Sequence, residues 1–144
     1  MANSKATYLS LVKVNALLPE NLKIDIENRL ERSVYKTCQG KPLPVINSKL
    51  YPQNYYWYSC TTTYFKNIGA DFICFTIGLN GILIIPIDVV VHYNRFSGWK
   101  GEGKKGRQYH VRIKHNQDGT LTFWNFNDPN ENIDITQYLI GSKS

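Results

Sequence analysis

The spacing of apolar positions changes character once along this chain. In the first quarter Leu9, Val12 and Ala16 recur at helical intervals behind Ser4, whose hydroxyl suits a helix start, which predicts a helix from Lys5 to Leu17. Pro19 follows, a residue tolerated at the first position of a helix because its missing N–H has no intrahelical partner there. Leu22, Ile26, Leu30 and Val34 then repeat every four residues, with Lys23, Glu27, Arg29 and Glu31 between them, which predicts a second amphipathic helix. Gly40-Lys41-Pro42-Leu43-Pro44 ends that region, since proline forces an extended path on the residue before it. The segment is read as a clamp that holds the helices against a sheet.

From Tyr55 the pattern changes to strands. Tyr55 to Thr62 is aromatic and β-branched, a composition that fits a pleated, half-buried face. Asp71 to Ile77 and Ile82 to Ile87 flank Gly78-Leu79-Asn80-Gly81 and read as a hairpin. Residues 86–93 fit either a continued strand or a short helix. A glycine-rich loop runs from Ser97 to Arg107, and a second hairpin joins Tyr109 to His115 with Thr120 to Phe126. Asp134 is expected to cap a short last helix through Ile140. The expectation is one α+β domain over residues 1–144: a helical part (1–37) packed on a mainly antiparallel, curved sheet (55–126), with a terminal helix (134–140).

Composition supports a folded chain. Ten Tyr, six Phe and three Trp in 144 residues supply enough apolar surface to offset the entropy of ordering. The longest apolar stretch, Ile82 to Val91, contains Pro86 and Asp88 and is too short to cross a bilayer, so no membrane partner is expected. Met1-Ala2-Asn3-Ser4-Lys5 lacks the pattern of an export signal, and a cytoplasmic location is expected. Cys38, Cys60 and Cys74 are odd in number and widely spaced, which fits reduced thiols and no zinc site. The net charge of +6 suits a polyanion as partner.

The second hairpin is the first place where that charge becomes specific. Period-two alternation groups Tyr109, Val111 and Ile113 with Thr122, Trp124 and Phe126 as a core face, for a turn of two or four residues. The opposite face then carries His110, Arg112 and Lys114 beside Leu121, Phe123 and Asn125. Cations there would meet phosphates, the Phe123 ring would stack on a base and the Asn125 amide would read a base edge. The glycine-rich loop adds Lys100, Lys104, Lys105 and Arg107, with Gly101, Gly103 and Gly106 letting the backbone approach a phosphate. It lacks the order of a nucleotide-binding P-loop.

Asp71 and Asp88 are the candidates for catalysis. With Gly78 to Gly81 as the turn they fall opposite each other, an arrangement that would hold Mg²⁺ and activate water for phosphodiester hydrolysis. Residues 70–90 resemble the hairpin of the PD-(D/E)XK nuclease family, with an acid on one strand and an acid followed by x-lysine on the next. Val90 stands where that lysine belongs, and Lys66 and His92 are the distant substitutes. Across residues 55–139, Tyr56-Trp57-Tyr58, Asp71-Phe72-Ile73-Cys74-Phe75, Ile84-Ile85-Pro86, Tyr109-His110-Val111-Arg112-Ile113 and Ile133-Asp134-Ile135-Thr136-Gln137-Tyr138-Leu139 resemble DNA-recognition modules of bacterial restriction–modification proteins.

The functional expectation is therefore DNA binding, in a restriction or defence setting by that resemblance. Phosphates would be held by the basic loop and bases by the hairpin face. The alternatives are a small Mg²⁺-dependent endonuclease using Asp71 and Asp88, and a protein-interaction module using the Tyr- and Asn-rich strands around Tyr55 to Tyr58. Whether one chain or a homodimer acts stays open.

Overall fold

A computed structural model describes residues 7–125 and 128–141. Its elements in chain order are helix α1 (Leu11–Leu17), strands β1 (Val34–Lys36), β2 (Pro42–Ile46), β3 (Leu50–Tyr51) and β4 (Tyr55–Cys60), and helix α2 (Thr62–Asn67). Then come β5 (Phe72–Thr76), β6 (Gly81–Pro86), α3 (Ile87–Asn94), β7 (Trp99–Gly103), β8 (Gly106–His115), β9 (Leu121–Phe123), β10 (Ile133–Asp134) and β11 (Leu139–Gly141). The fold is α+β, and the strands pair antiparallel except β2 with β5.

The strands form two sheets, where one curved sheet was expected. One runs β1-β2-β5-β6-β11; the other runs β10-β9-β8-β4-β3, with β7 added alongside β8. Between them lies the main core. Ile73 and Phe75 of β5 and Leu83 and Ile85 of β6 meet Tyr56, Tyr58 and Cys60 of β4, Val111 and Ile113 of β8, and Leu121 and Phe123 of β9. Phe65 of α2 and Val90 and Tyr93 of α3 close one end of it. The far face of the first sheet is covered by Leu9, Val14, Leu18 and Ile24, packed on Leu43, Val45, Cys74, Ile82 and Ile84. The outer face of the second sheet has no such cover among the described residues.

The N-terminal region departs from a two-helix reading. Helix α1 is shorter than expected and starts from Ser10, whose hydroxyl accepts from the Lys13 N–H at 3.3 Å; Ser4 lies outside the described residues. The Leu9 N–H donates to the Gly78 carbonyl at 3.1 Å, so the chain before α1 is fixed on the β5–β6 turn instead of coiling. Val14 and Leu18 face inward, whereas Val12 is 65% exposed. After Pro19 a single 3₁₀ turn forms, Glu20–Leu22. Asp25 then captures the Glu27 and Asn28 N–H groups at 3.1 and 3.3 Å, a local side-chain bond that competes with a helix. Ser33 takes φ +66°, and Val34 begins β1, so the four-residue repeat of apolar positions never becomes a stripe. Leu30 is 54% exposed.

Three further corrections bear on the site. The proline segment is itself a strand: β2 lies between β1 and β5. The glycine-rich loop is a hairpin, with Gly103 opposite Gly106 and Lys104-Lys105 at its tip. The expected terminal helix is one 3₁₀ turn, Thr136–Tyr138, between β10 and β11, because the backbone of Leu139 to Gly141 pairs with the open edge of β6. Gly81 permits that pairing: it has φ +151°, and a β-carbon there would overlap the Ile140 carbonyl oxygen. Residues 86–93, open between strand and helix, divide at Pro86, where β6 ends and α3 begins.

Candidate nucleic-acid interface

Hairpin loop length decides which side chains reach the open face. The β8–β9 ladder pairs Ile113 with Phe123, Lys114 with Thr122 and His115 with Leu121, and the Asn116 N–H closes on the Thr120 carbonyl, which leaves three residues in the loop. An odd loop moves the register by one residue from that of a two- or four-residue turn, and in a strand one residue inverts the face. Phe123 is therefore fully buried, with its ring stacked 4.5 Å from that of Tyr93. Asn125 is buried as well, its N–H donating to Asn132 Oδ1 at 2.7 Å and its own Oδ1 accepting from Asp128 N–H at 3.2 Å. Neither can read a base from the surface. Trp124 lies on the opposite side from Phe123, and Phe126 falls outside the described residues.

The strand β8 behaves as its alternation predicts. Val111 and Ile113 are buried, and His110, Arg112 and Lys114 point outward. Register with β4 sets Ser59 against His110, Trp57 against Arg112 and Tyr55 against Lys114. On β3, Tyr51 pairs with Tyr55. The outcome is a continuous run of rings. Tyr51 stacks on Tyr55 at 5.6 Å, Tyr51 meets Trp57 edge-on at 6.2 Å, and Tyr55 meets Trp124 edge-on at 5.4 Å.

Cations sit over these rings: Lys49 is 5.3 Å from the centre of Tyr51, Arg112 5.8 Å from Trp57 and Lys114 4.6 Å from Trp124. Among the described residues a carboxylate that shares this face is Asp134, opposite Thr122 at the β10 edge, and Thr136 occupies its Oδ1 through its N–H and hydroxyl at 2.9 and 2.7 Å.

His110 is fixed within this face. The Trp57 indole N–H donates to His110 Nδ1 at 3.2 Å, which requires the neutral ring with its proton on Nε2. Burial, then the charges of Arg112 and Lys100, hold its pKa below the ordinary value. Behind the face, the Tyr93 hydroxyl is inserted between two strands. It donates to the Trp124 carbonyl at 2.6 Å and accepts from the Arg112 N–H at 3.3 Å, while the neighbouring rung from Trp124 N–H to Arg112 carbonyl remains at 2.8 Å.

The loop cations divide. Lys100 and Lys104 are exposed. Lys105 pairs with Glu31 at 2.5 Å and lies 5.1 Å from the Tyr64 ring centre, so it ties the hairpin to the segment before β1. Arg107 sits 4.4 Å from the Trp99 ring centre, on the other side of β8 from His110.

Asp71 and Asp88 do not face each other. The β5–β6 ladder joins Ile77 N–H to the Gly81 carbonyl, which leaves a three-residue loop and sets Asp71 opposite Ile87. Asp88 lies one position further, on α3. Each carboxylate pairs with its own lysine, Asp71 with Lys41 and Asp88 with Lys66, both at 3.0 Å. Among the described residues no group of three or more His, Cys, Asp and Glu side chains converges. Cys60 and Cys74 are buried in the cores, which pushes each thiol up to about 12.

Sequence reasoning missed Tyr51, Lys49 and Trp124 as face residues and assigned Tyr55 and Trp57 only to an alternative surface. The available signal was the alternation of Tyr55, Trp57 and Ser59 with Tyr56, Tyr58 and Cys60. No family model, curated protein or solved structure matches the chain.

Proposed function

We propose that this chain binds nucleic acid, with a DNA strand of unpaired bases lying across the outer face of the six-stranded sheet. One observation carries the reading: Tyr51, Tyr55, Trp57 and Trp124 form one connected run, and Lys49, Arg112 and Lys114 lie over three of those rings. Such a surface offers π-faces to bases and cations to the backbone between them. Ring centres 5.4 to 6.2 Å apart exceed the ~3.4 Å rise of stacked bases, so bases seated on successive rings must be drawn apart. That favours a single strand over a duplex. Lys100 beside His110 extends the positive field along β7. Lys104 at the hairpin tip is a further phosphate contact, whereas Lys105 is already engaged by Glu31. The restriction or defence setting rests on the sequence resemblance alone, and no feature of the geometry favours the nuclease reading over plain binding.

The test is fluorescence anisotropy with a labelled oligo(dT) strand and a duplex of equal length. The strand should bind more tightly. Trp57→Ala and Trp124→Ala should each weaken it by about 5- to 150-fold, the equivalent of ~1–3 kcal/mol per stacked base. Lys49→Ala with Lys114→Ala should lower the magnitude of the log–log salt slope by about 1.4, at ~0.7 per contact. Strand binding that ignores both tryptophans, or no binding at low salt, overturns the proposal and leaves a protein partner as the better occupant.

A further inference from the structure

The open face is interrupted where β8 changes neighbours. One edge of β8 pairs with β4 from Tyr109 to Lys114. Along its other edge β7 pairs as far as Tyr109, and β9 takes over only from Ile113. Residues 110–112 therefore border a notch of about 140 Å³ between the start of β7 and the end of β9. Ser97 and Gly98 form one wall, Trp124 and Asn125 the other, and Tyr93 fills the notch from behind. It is smaller than the ~300–1,000 Å³ usual for small-molecule sites, so it suits the edge of one flat ring.

The acceptors around this notch are engaged within the protein. The Gly98 carbonyl accepts from the His110 N–H at 2.8 Å, and the Arg112 carbonyl from the Trp124 N–H at 2.8 Å. The Trp124 carbonyl accepts from the Tyr93 hydroxyl at 2.6 Å, and Asn125 Oδ1 from the Asp128 N–H at 3.2 Å. Among the described residues no carboxylate lines the notch. The donors are placed differently. An indole N–H can only donate, so the His110 nitrogen turned to Trp57 on the β4 side is the acceptor Nδ1, and Nε2 carries the proton. The opposite edge of that ring lies on the β7 side: a β-carbon on Gly98 would stand 3.4 Å from His110 Cδ2, the atom bonded to Nε2. Arg112 borders the same notch and brings a planar fork of N–H donors on a long side chain.

We propose that the notch reads the base seated on Trp124 and selects one whose edge presents two contiguous hydrogen-bond acceptors. The inference rests on the strand-binding reading of the open face. His110 Nε2–H donates to one acceptor and the Arg112 guanidinium to the other. Guanine offers such an edge in O6 and N7, and cytosine in O2 and N3. Adenine sets its amine beside N7 and N1, and thymine sets N3–H between its carbonyls, so in either base a donor would meet a donor.

The probes are labelled oligo(dT) strands of one length, either all thymine or carrying an interior guanine, cytosine, adenine or 7-deazaguanine, followed by fluorescence anisotropy. The guanine strand, the cytosine strand or both should bind about 5- to 150-fold more tightly than the adenine and all-thymine strands. Whichever leads names the base. Where guanine leads, 7-deazaguanine, which keeps the ring and loses N7, should fall toward the adenine level. His110→Phe keeps a ring and removes the Nε2–H, and Arg112→Lys keeps the charge and removes the fork. Each should shrink the ratio between strands, a ratio that a general disturbance of Trp57 would leave alone. Equal binding of all strands overturns the proposal, as does a lead for adenine or thymine, 7-deazaguanine equal to a leading guanine, or a ratio intact in both variants. If Trp57→Ala still weakens every strand in those cases, the ring-and-cation face stands without base reading. No binding by any strand overturns both.

Discussion

Replacing Phe123 tests the register on which the whole interface depends. Phe123 is fully buried, stacked 4.5 Å from Tyr93 at a 22° interplanar angle and edge-on to Phe75 at 6.2 Å. Phe123→Ala deletes a ring between two sheets and leaves a void that neighbouring strands cannot close without breaking their ladders. Large-to-small changes of this kind cost ~3–5 kcal/mol, and the two lost aromatic contacts argue for the upper part of that range. Trp124, one residue later, lies on the open face with Lys114 over its ring, so Trp124→Ala should cost only about 1 kcal/mol. Urea unfolding followed by circular dichroism gives both values, with Phe123→Leu as an intermediate. The two variants should also dissociate by function, Phe123→Ala losing stability and Trp124→Ala losing strand affinity. A Trp124→Ala loss larger than that of Phe123→Ala would mean that the ladder is shifted by one residue and that the open face is misassigned.

His110 gives a pH-dependent signature. Its folded pKa lies below the ordinary 6.5, so the neutral ring is favoured in the fold and the unfolded chain takes up the proton first as pH falls. The stabilisation is complete above 6.5, declines as pH drops through it toward the folded pKa, and is absent below that; His110→Phe should remove this limb from a stability-versus-pH curve. Gly81→Ala should destabilise by at least ~1–3 kcal/mol, read by thermal melting, through its positive φ and its overlap with the β11 backbone. A melting point equal to wild type would show that β11 is not paired there. Cys38, exposed in the fold, should react at once with a thiol reagent, and Cys60 and Cys74 only on unfolding. Three fast thiols would contradict the two buried positions.

Much of the sheet was legible because strand alternation is local. Tyr55 to Cys60 stands out by its aromatic content, Phe72 to Thr76 as a short apolar run buried on both faces, and the run through His115 by period two, which also gives the outward set His110, Arg112 and Lys114. What the sequence hides is the parity between strands. Asn116-Gln117-Asp118-Gly119 and Gly78-Leu79-Asn80-Gly81 look like even turns, yet the closing bonds from Asn116 N–H to the Thr120 carbonyl and from Ile77 N–H to the Gly81 carbonyl leave three residues in each observed loop. One residue of slip replaced Phe123 by Trp124 on the face and parted Asp71 from Asp88. The false second helix has a different cause. Leu22, Ile26, Leu30 and Val34 satisfy the helical period, but Asp25 and Asn28 through short-range bonds, and Ser33 through its left-handed φ, settle the backbone in a way that hydrophobic periodicity does not register.

Tyr93 gives the open face a dependence on the interior. Its hydroxyl occupies the rung that would otherwise join Arg112 N–H to the Trp124 carbonyl, so these two face residues are held apart by a side chain anchored in α3. Replacing that hydroxyl with hydrogen leaves every exposed face residue in place, yet it frees two peptide groups to close on each other and should shift Trp124 relative to Arg112. On the proposed reading, the distance between bases that this surface would accept is therefore set from behind, by one oxygen atom. A Tyr93→Phe protein with an intact surface and an altered preference for strand flexibility would be the mark of that control.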